Sequence, residues 1–334
     1  MFLPVTGHPL HTRSMTLKAV AADKGRWSAR GDIIDLRKTG FAPLHCDLQP
    51  AGIIHHMSID LLVDPATLVV EALVAAQPVV AVELSPRSCG ESCRDPVGIL
   101  DSLVGTALDG DFRGKLSRAF GGPRGCSHLL SLFQFMARAI DRAVSCERHY
   151  NPEPQRSPGE IVFQSSLFVD GYQTPQRHFE LALQLSDYLV RPEPEVDTAL
   201  SRFQYDEGAR VFARVDTADM SLADVRAATR ARDVDSLGED WIERDEWAAR
   251  LAGRAIAGGL GGFVAAAYAD EPEARVLQDG LAQLAPGYIQ ILAAVADQWI
   301  AHSTGSNTDE AEKPLGGHID SCYIWREGGR AHGP

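Results

Sequence analysis

Residues 10–76 carry four segments of strand patterning separated by turn signals, which predicts an antiparallel meander. Segments 12–22 and 26–37 flank Asp23, Lys24 and Gly25, and segments 53–64 and 66–76 join through Asp64-Pro65. In the third strand His55, Met57, Ile59, Leu61 and Val63 alternate onto one face, with His56, Ser58 and Asp60 on the other. Helices follow. Residues 96–107 suit one, with Asp95 as N-cap and Pro96 at the first position. After Cys126 the apolar residues Leu129, Leu132, Phe133, Met136, Ala139, Ile140 and Ala143 recur at three and four, which predicts a helix with one buried stripe.

The polar, proline-rich stretch 147–159 is the best internal boundary, separating an N-terminal half, 1–146, from a C-terminal half, 160–334. The second half returns to strands over 160–172, 178–190 and 209–218. Ser221 to Asp224 resembles a capping box opening a short helix, and 236–250 reads as an acidic helix with Trp241 and Trp247 inward. Residues 285–301 form the last predicted helix, and 302–317 a polar loop. The tetrad Ala-Arg-x-Asp-x-x-Asp occurs at 29–35 and again at 213–219, as chance or as the trace of a duplication. The pattern as a whole predicts an α+β fold: a predominantly antiparallel sheet with packed helices in two similar-sized halves.

Composition narrows the function classes. With 45% hydrophobic and 23% charged residues, the 334-residue chain can bury a large core. Its net charge of −13, with no Lys/Arg cluster, argues against nucleic acid and anionic membrane surfaces as partners. No apolar run approaches the roughly 18 residues of a membrane span, and the first residues lack the basic and apolar regions of a secretory signal. Six scattered cysteines fit a reducing cytoplasm. Cys89 and Cys93 are expected in a solvated loop. There is no Gly-Lys-Ser/Thr phosphate loop, and Val264 stands where a dinucleotide fingerprint from Gly259 needs glycine, so no nucleotide cofactor is expected; 253–268 reads as helix packing. The expected partner is a small-molecule substrate, with a homo-oligomer as an open possibility.

The candidate chemistry lies in short polar patches. A glycine-rich turn delivers Cys126, Ser127 and His128 to a helix N-terminus, where outward amides and the positive dipole favour a thiolate or an anionic ligand. Those residues could bind a metal, form a reactive pair or tie down the helix end. His55 and His56 point to opposite faces, so only one can join a given site. His11 and Arg13 share a face of the first strand. With Asp32 and Asp35 on its neighbour they could form a cross-strand ion-pair ladder or anchor a substrate carboxylate.

Read in order, 10–13, 32–37, 55–64, 103–116 and above all 121–129 ("GGPRGCSHL") resemble the family known as domain of unknown function 2889. The resemblance spans the first 145 positions, with "DSCYIW" near the end as a further piece. The family shows His-Asp-Met where this chain has His55-His56-Met57, and Gly-Cys-Thr-His-Leu at 125–129, where this chain has Ser127. The resemblance implies a cytoplasmic protein associated with small-molecule catabolism, including aromatic and acyl-thioester pathways. It draws His11, His55, Cys126 and His128 together as ligands for a divalent metal, zinc or iron. The resulting expectation is a hydrolase or lyase acting on an organic acid, ester or aromatic substrate. Cys126, His128 and His55 would do the chemistry through a metal or a Cys/His pair, and Arg13 and Asp35 would bind substrate. The alternative is a non-catalytic ligand- or partner-binding protein in which these residues are structural.

Overall fold

The computed structural model describes residues 3–44, 47–86, 88–153, 156–176, 178–192, 198–238, 240–296 and 320–329, without side chains for 42–48. Cys46, the 302–317 loop and the end of the helix expected to 301 lie outside the described residues.

The expected meander forms. Strands β1 (His8–Ala21), β2 (Trp27–Arg37), β5 (Gly52–Val63) and β6 (Val70–Val79) pair in sequence order, with a small hairpin of β3 (Ala42–Leu44) and β4 (Asp47–Gln49) inserted. A second meander follows: β7 (Ile161–Gln173), β8 (Phe179–Val190), β9 (Phe203–Val215) and β10 (Leu222–Asp233), edged by β11 (Ile242–Glu243). β1 pairs antiparallel with β7, so one nine-stranded antiparallel sheet runs through both halves. The fold is α+β, as expected.

One face of the sheet carries the helices. α1 (Phe112–Phe120) packs on α2 (Ser127–Tyr150), and α2 lies over β1, β2 and β5. From the second half come α3 (Asp245–Ala248), α4 (Leu260–Ala267), α5 (Arg275–Leu281) over β8 and β9, and α6 (Leu284–Ala294) over β1 and β7. All seven residues of the expected α2 stripe are buried. Beneath them Met15, Ile33 and Met57 stand side by side on three strands, fully buried. Burial of each such side chain stabilises by about 1.5–3 kcal/mol. Met136 sits so close over β2 that a Cβ at Gly31 would overlap it. On the opposite face Arg30, Asp32 and Asp60 form a half-exposed ion-pair group.

Several local expectations are corrected. Residues 97–103 form a 3-10 helix rather than an α-helix over 96–107. Asp95 does not cap it, since its carboxylate accepts the Ser92 N–H at 3.0 Å. The capping-box motif at 221–224 opens β10, because a ladder along the whole of β9 outweighs a local cap. The acidic segment 236–250 is mostly irregular, with only short β11 and α3. Trp247 is buried, but Trp241 lies between the guanidiniums of Arg210 and Arg230, 4.2 and 4.7 Å from its ring centre. β9 begins at Phe203, six residues before the expected start. The loop expected to be solvated around Cys89 and Cys93 is only partly so: Cys89 is exposed, while Cys93 is half-buried. Ser88, Glu91 and Ser92 are buried, and Arg326 of the C-terminal segment pairs with Glu91. The five described cysteines are all free thiols. α2 continues to Tyr150, into the expected boundary segment, where Arg156 folds back onto buried Glu147 at 2.5 Å. The tetrad at 29–35 lies within the second strand of one meander, whereas that at 213–219 runs past the end of the third strand of the other, with Asp216 and Asp219 beyond Val215.

Candidate functional site

The sheet's helix-covered face turns polar at one end. Arg13 of β1 lies opposite Asp35 of β2, which lies opposite His55 of β5. Residues two apart on a strand share a face, so His11 joins Arg13 and Arg37 joins Asp35. The first turn of α2 lands on this polar end. Gly125 runs so close to the Phe120 carbonyl and ring that a Cβ there would collide with both. Cys126 is the extended N-cap residue, and His128 projects from the first turn toward Asp35.

Asp35 is the hub. It is fully buried and gripped by the Arg13 fork, with Nε to Oδ1 at 2.8 Å and Nη2 to Oδ2 at 2.9 Å. His128 Nε2 stands 3.2 Å from Oδ2, His55 Nδ1 3.5 Å from Oδ2, and His11 Nε2 3.4 Å from Oδ1. The His55 and His128 rings stack with centres 3.7 Å apart and planes tilted by 31°. Neither His55 Nδ1 nor His11 Nε2 makes a hydrogen bond, although both are buried. Gln290 of α6 reaches the same His128 nitrogen that faces Asp35, its side-chain nitrogen 3.3 Å from Nε2. Arg37 turns away and donates to the Gln49 carbonyl at 2.7 Å.

Burial dominates the protonation states. It pushes His128 down to about 3, with His55 adding to the fall and Asp35 opposing it. It pushes His11 down to about 4, again against the pull of Asp35. Burial alone would raise the Asp35 carboxyl, but the Arg13 charge and the His128 hydrogen bond hold it well below the usual carboxylate range. At neutral pH the cluster is therefore one carboxylate, one guanidinium, and imidazoles at His11 and His128 that keep a free nitrogen lone pair.

All six expected residues, His11, Arg13, Asp35, His55, Cys126 and His128, gather at this end of the sheet, but they do not play equal parts. The three ligand atoms that converge within 4.8 Å of one another come from Asp35, His55 and His128. His11 and Cys126, included in the expected ligand set, fall outside that group, and Asp35 takes a place assigned to substrate. Cys126 Sγ points at Met57 Sδ, 3.7 Å away, and lies 3.9 Å from His128 Nδ1. Burial pushes its thiol up to about 12, outweighing the helix N-terminal amides that were expected to lower it. The Nε and Nη2 edge of Arg13 is taken up by Asp35, the other residue expected to bind substrate. Asp32 and His56 lie on the other face, 3.6 Å apart, so the departure from the family pattern at position 56 stays outside the cluster. The sequence reading missed Gln290: it is 162 positions from His128 and on no motif.

The donors suit a borderline metal. Ligand atoms about 2.1 Å from an ion, at tetrahedral angles, stand about 3.4 Å apart. The separations of 3.2 and 3.5 Å from Asp35 Oδ2 to the two imidazoles match that spacing. Two imidazole nitrogens and one carboxylate oxygen are a donor set for zinc or iron.

No curated protein matches the chain. A solved structure from Nitrosomonas europaea, described provisionally as AttH, aligns at 10% identity over 68% of this chain and 69% of its own, with a TM-score of 0.17. No helix among the described residues is long and apolar enough to cross a membrane. Residues 11–141, the segment that carries all six gathered residues, match the family described as "Protein of unknown function (DUF2889)".

Proposed function

We propose that Asp35, His55 and His128 hold one divalent metal, zinc or iron, and that the protein is a metal-assisted hydrolase or lyase acting on a small organic acid, ester or aromatic substrate. The observation that carries this reading is the convergence of the three ligand atoms around Asp35, two of them imidazole nitrogens, with His55 Nδ1 buried and without a hydrogen bond. A metal held by three protein groups keeps a position open and supplies a Lewis acid and an activated water. Within this reading Arg13 is a positioning residue: its fork fixes both Asp35 oxygens and balances the charge. Gln290 orients the His128 ring from α6. Cys126 serves as packing at the helix start, and the thiolate version recedes because the thiol stays protonated. A second reading, a binding protein in which the cluster is structural, is favoured by the complete burial of Asp35.

His128→Ala separates the two. The catalytic reading expects turnover of an ester and organic-acid panel to fall at least about 100-fold with the thermal midpoint unchanged within error. Unfolding of the variant, with turnover per folded molecule preserved, would support the structural reading.

A further inference from the structure

A second feature lies apart from the buried cluster. Arg138 is ten positions beyond His128 on α2, about 15 Å along the axis. There α1, α2 and α5 border a cleft of about 360 Å³. That volume falls within the range of small-molecule sites.

Most of the charges around the cleft are paired: Asp109 meets Lys115, and Glu207 lies 3.9 Å from Arg142. Arg275 pairs with Asp141. Arg138 and Arg142 share Asp279, and the other edge of Arg142 meets Asp187. Arg113 has no carboxylate partner among the described residues; its contact is the Gly261 carbonyl at 3.3 Å. Burial and the nearby Arg138 push Arg113 below its ordinary value, the sign of a cation left short of anions. Three further polar atoms of lining residues are buried without a hydrogen bond: Arg142 Nη2, Gln283 Oε1 and Asp279 Oδ1, the last held in an ion pair with Arg138. Arg113 is thus the lining guanidinium without a carboxylate partner among the described residues. The remaining wall is apolar, formed by Leu108, Phe112 and Phe135.

We propose that this cleft binds a small organic monoanion, a carboxylate carried on a compact apolar body, with Arg113 as its charge partner and Arg142 Nη2 as a further donor. One unpaired guanidinium calls for a single negative charge, and a planar fork suits a carboxylate. The leucine and phenylalanine wall calls for an apolar body rather than a fully hydrated ion. The proposal does not depend on a metal at Asp35.

Calorimetric titration of the full chain with benzoate, phenylacetate and hexanoate tests it, beside benzamide and inorganic phosphate. At least one carboxylate should bind saturably. Benzamide should bind about tenfold or more weakly, and Arg113→Gln should weaken the carboxylate about tenfold without moving the ligand-free thermal midpoint. Arg226→Gln, an exposed arginine on β10, should bind as wild type. Absence of saturable binding by all three carboxylates would overturn the proposal. So would equal affinity for benzamide, or wild-type affinity in Arg113→Gln. Phosphate binding as tightly as the best carboxylate would overturn the apolar-body assignment.

Discussion

At the scale of single residues, Asp35 organises its surroundings by being charged where water cannot reach it. The guanidinium of Arg13 offsets the desolvation cost, and burial holds the His11 and His128 imidazoles below their ordinary values. This has a pH consequence in chelator-treated protein. His128 is depressed to about 3 and His11 to about 4, from an ordinary 6.5. Between those values and 6.5 the unfolded chain binds protons that the folded chain refuses, so stability falls as pH drops through that window. Urea unfolding should lose on the order of 2 to 3 kcal/mol per imidazole between pH 6.5 and 4, and His11→Gln should make the slope shallower. A profile flat over that range would show that the imidazoles are not held neutral by burial. The residue types of the cluster were legible in the sequence because strand alternation and a helix start fix where side chains point. The division of roles among them was not, because the commitment of Arg13 to Asp35 depends on the β1–β2 register, and the protonation of Cys126 depends on burial.

At the scale of elements, α6 reaches the cluster because β7 makes room for it. Gly171 lies under α6, and a Cβ there would overlap Ile291, one position from Gln290. Gly171→Ala should therefore lift α6 and cost about 1–3 kcal/mol by thermal or urea unfolding. An unchanged stability would show that α6 is seated more loosely. The strands of the first meander and the α2 stripe were readable because each has a clean period on one buried face. The elements misread in the second half, at 221–224 and 236–250, carry strong local signals for caps and helices that sheet pairing and arginine–tryptophan stacking override. The placement of Gln290 follows only from docking α6 across β1 and β7, contacts more than a hundred residues apart.

At the scale of the whole molecule, two four-stranded meanders meet through β1 and β7, and helices from both halves share one face. Arg142 is the charged tie across that layer, joining α2 to Asp187 on β8 and Asp279 on α5. Arg142→Met leaves buried Asp187 with the Ser165 hydroxyl but no cation, and Asp279 with Arg138 alone, and the expected loss is about 3–5 kcal/mol in urea unfolding. A change below about 1 kcal/mol would show that the remaining arginines replace it. The α+β class was legible from the order of strand and helix patterns. The continuous sheet was not, because the β1–β7 pairing joins two edges with no local signal.

The most direct test of the metal reading is elemental analysis of untagged protein purified without chelator, wild type beside His128→Ala and Asp35→Asn. The account predicts close to one zinc or iron per wild-type chain and its loss from both variants. Folded wild-type protein that carries no transition metal, and takes up none from zinc or ferrous solution, would contradict it.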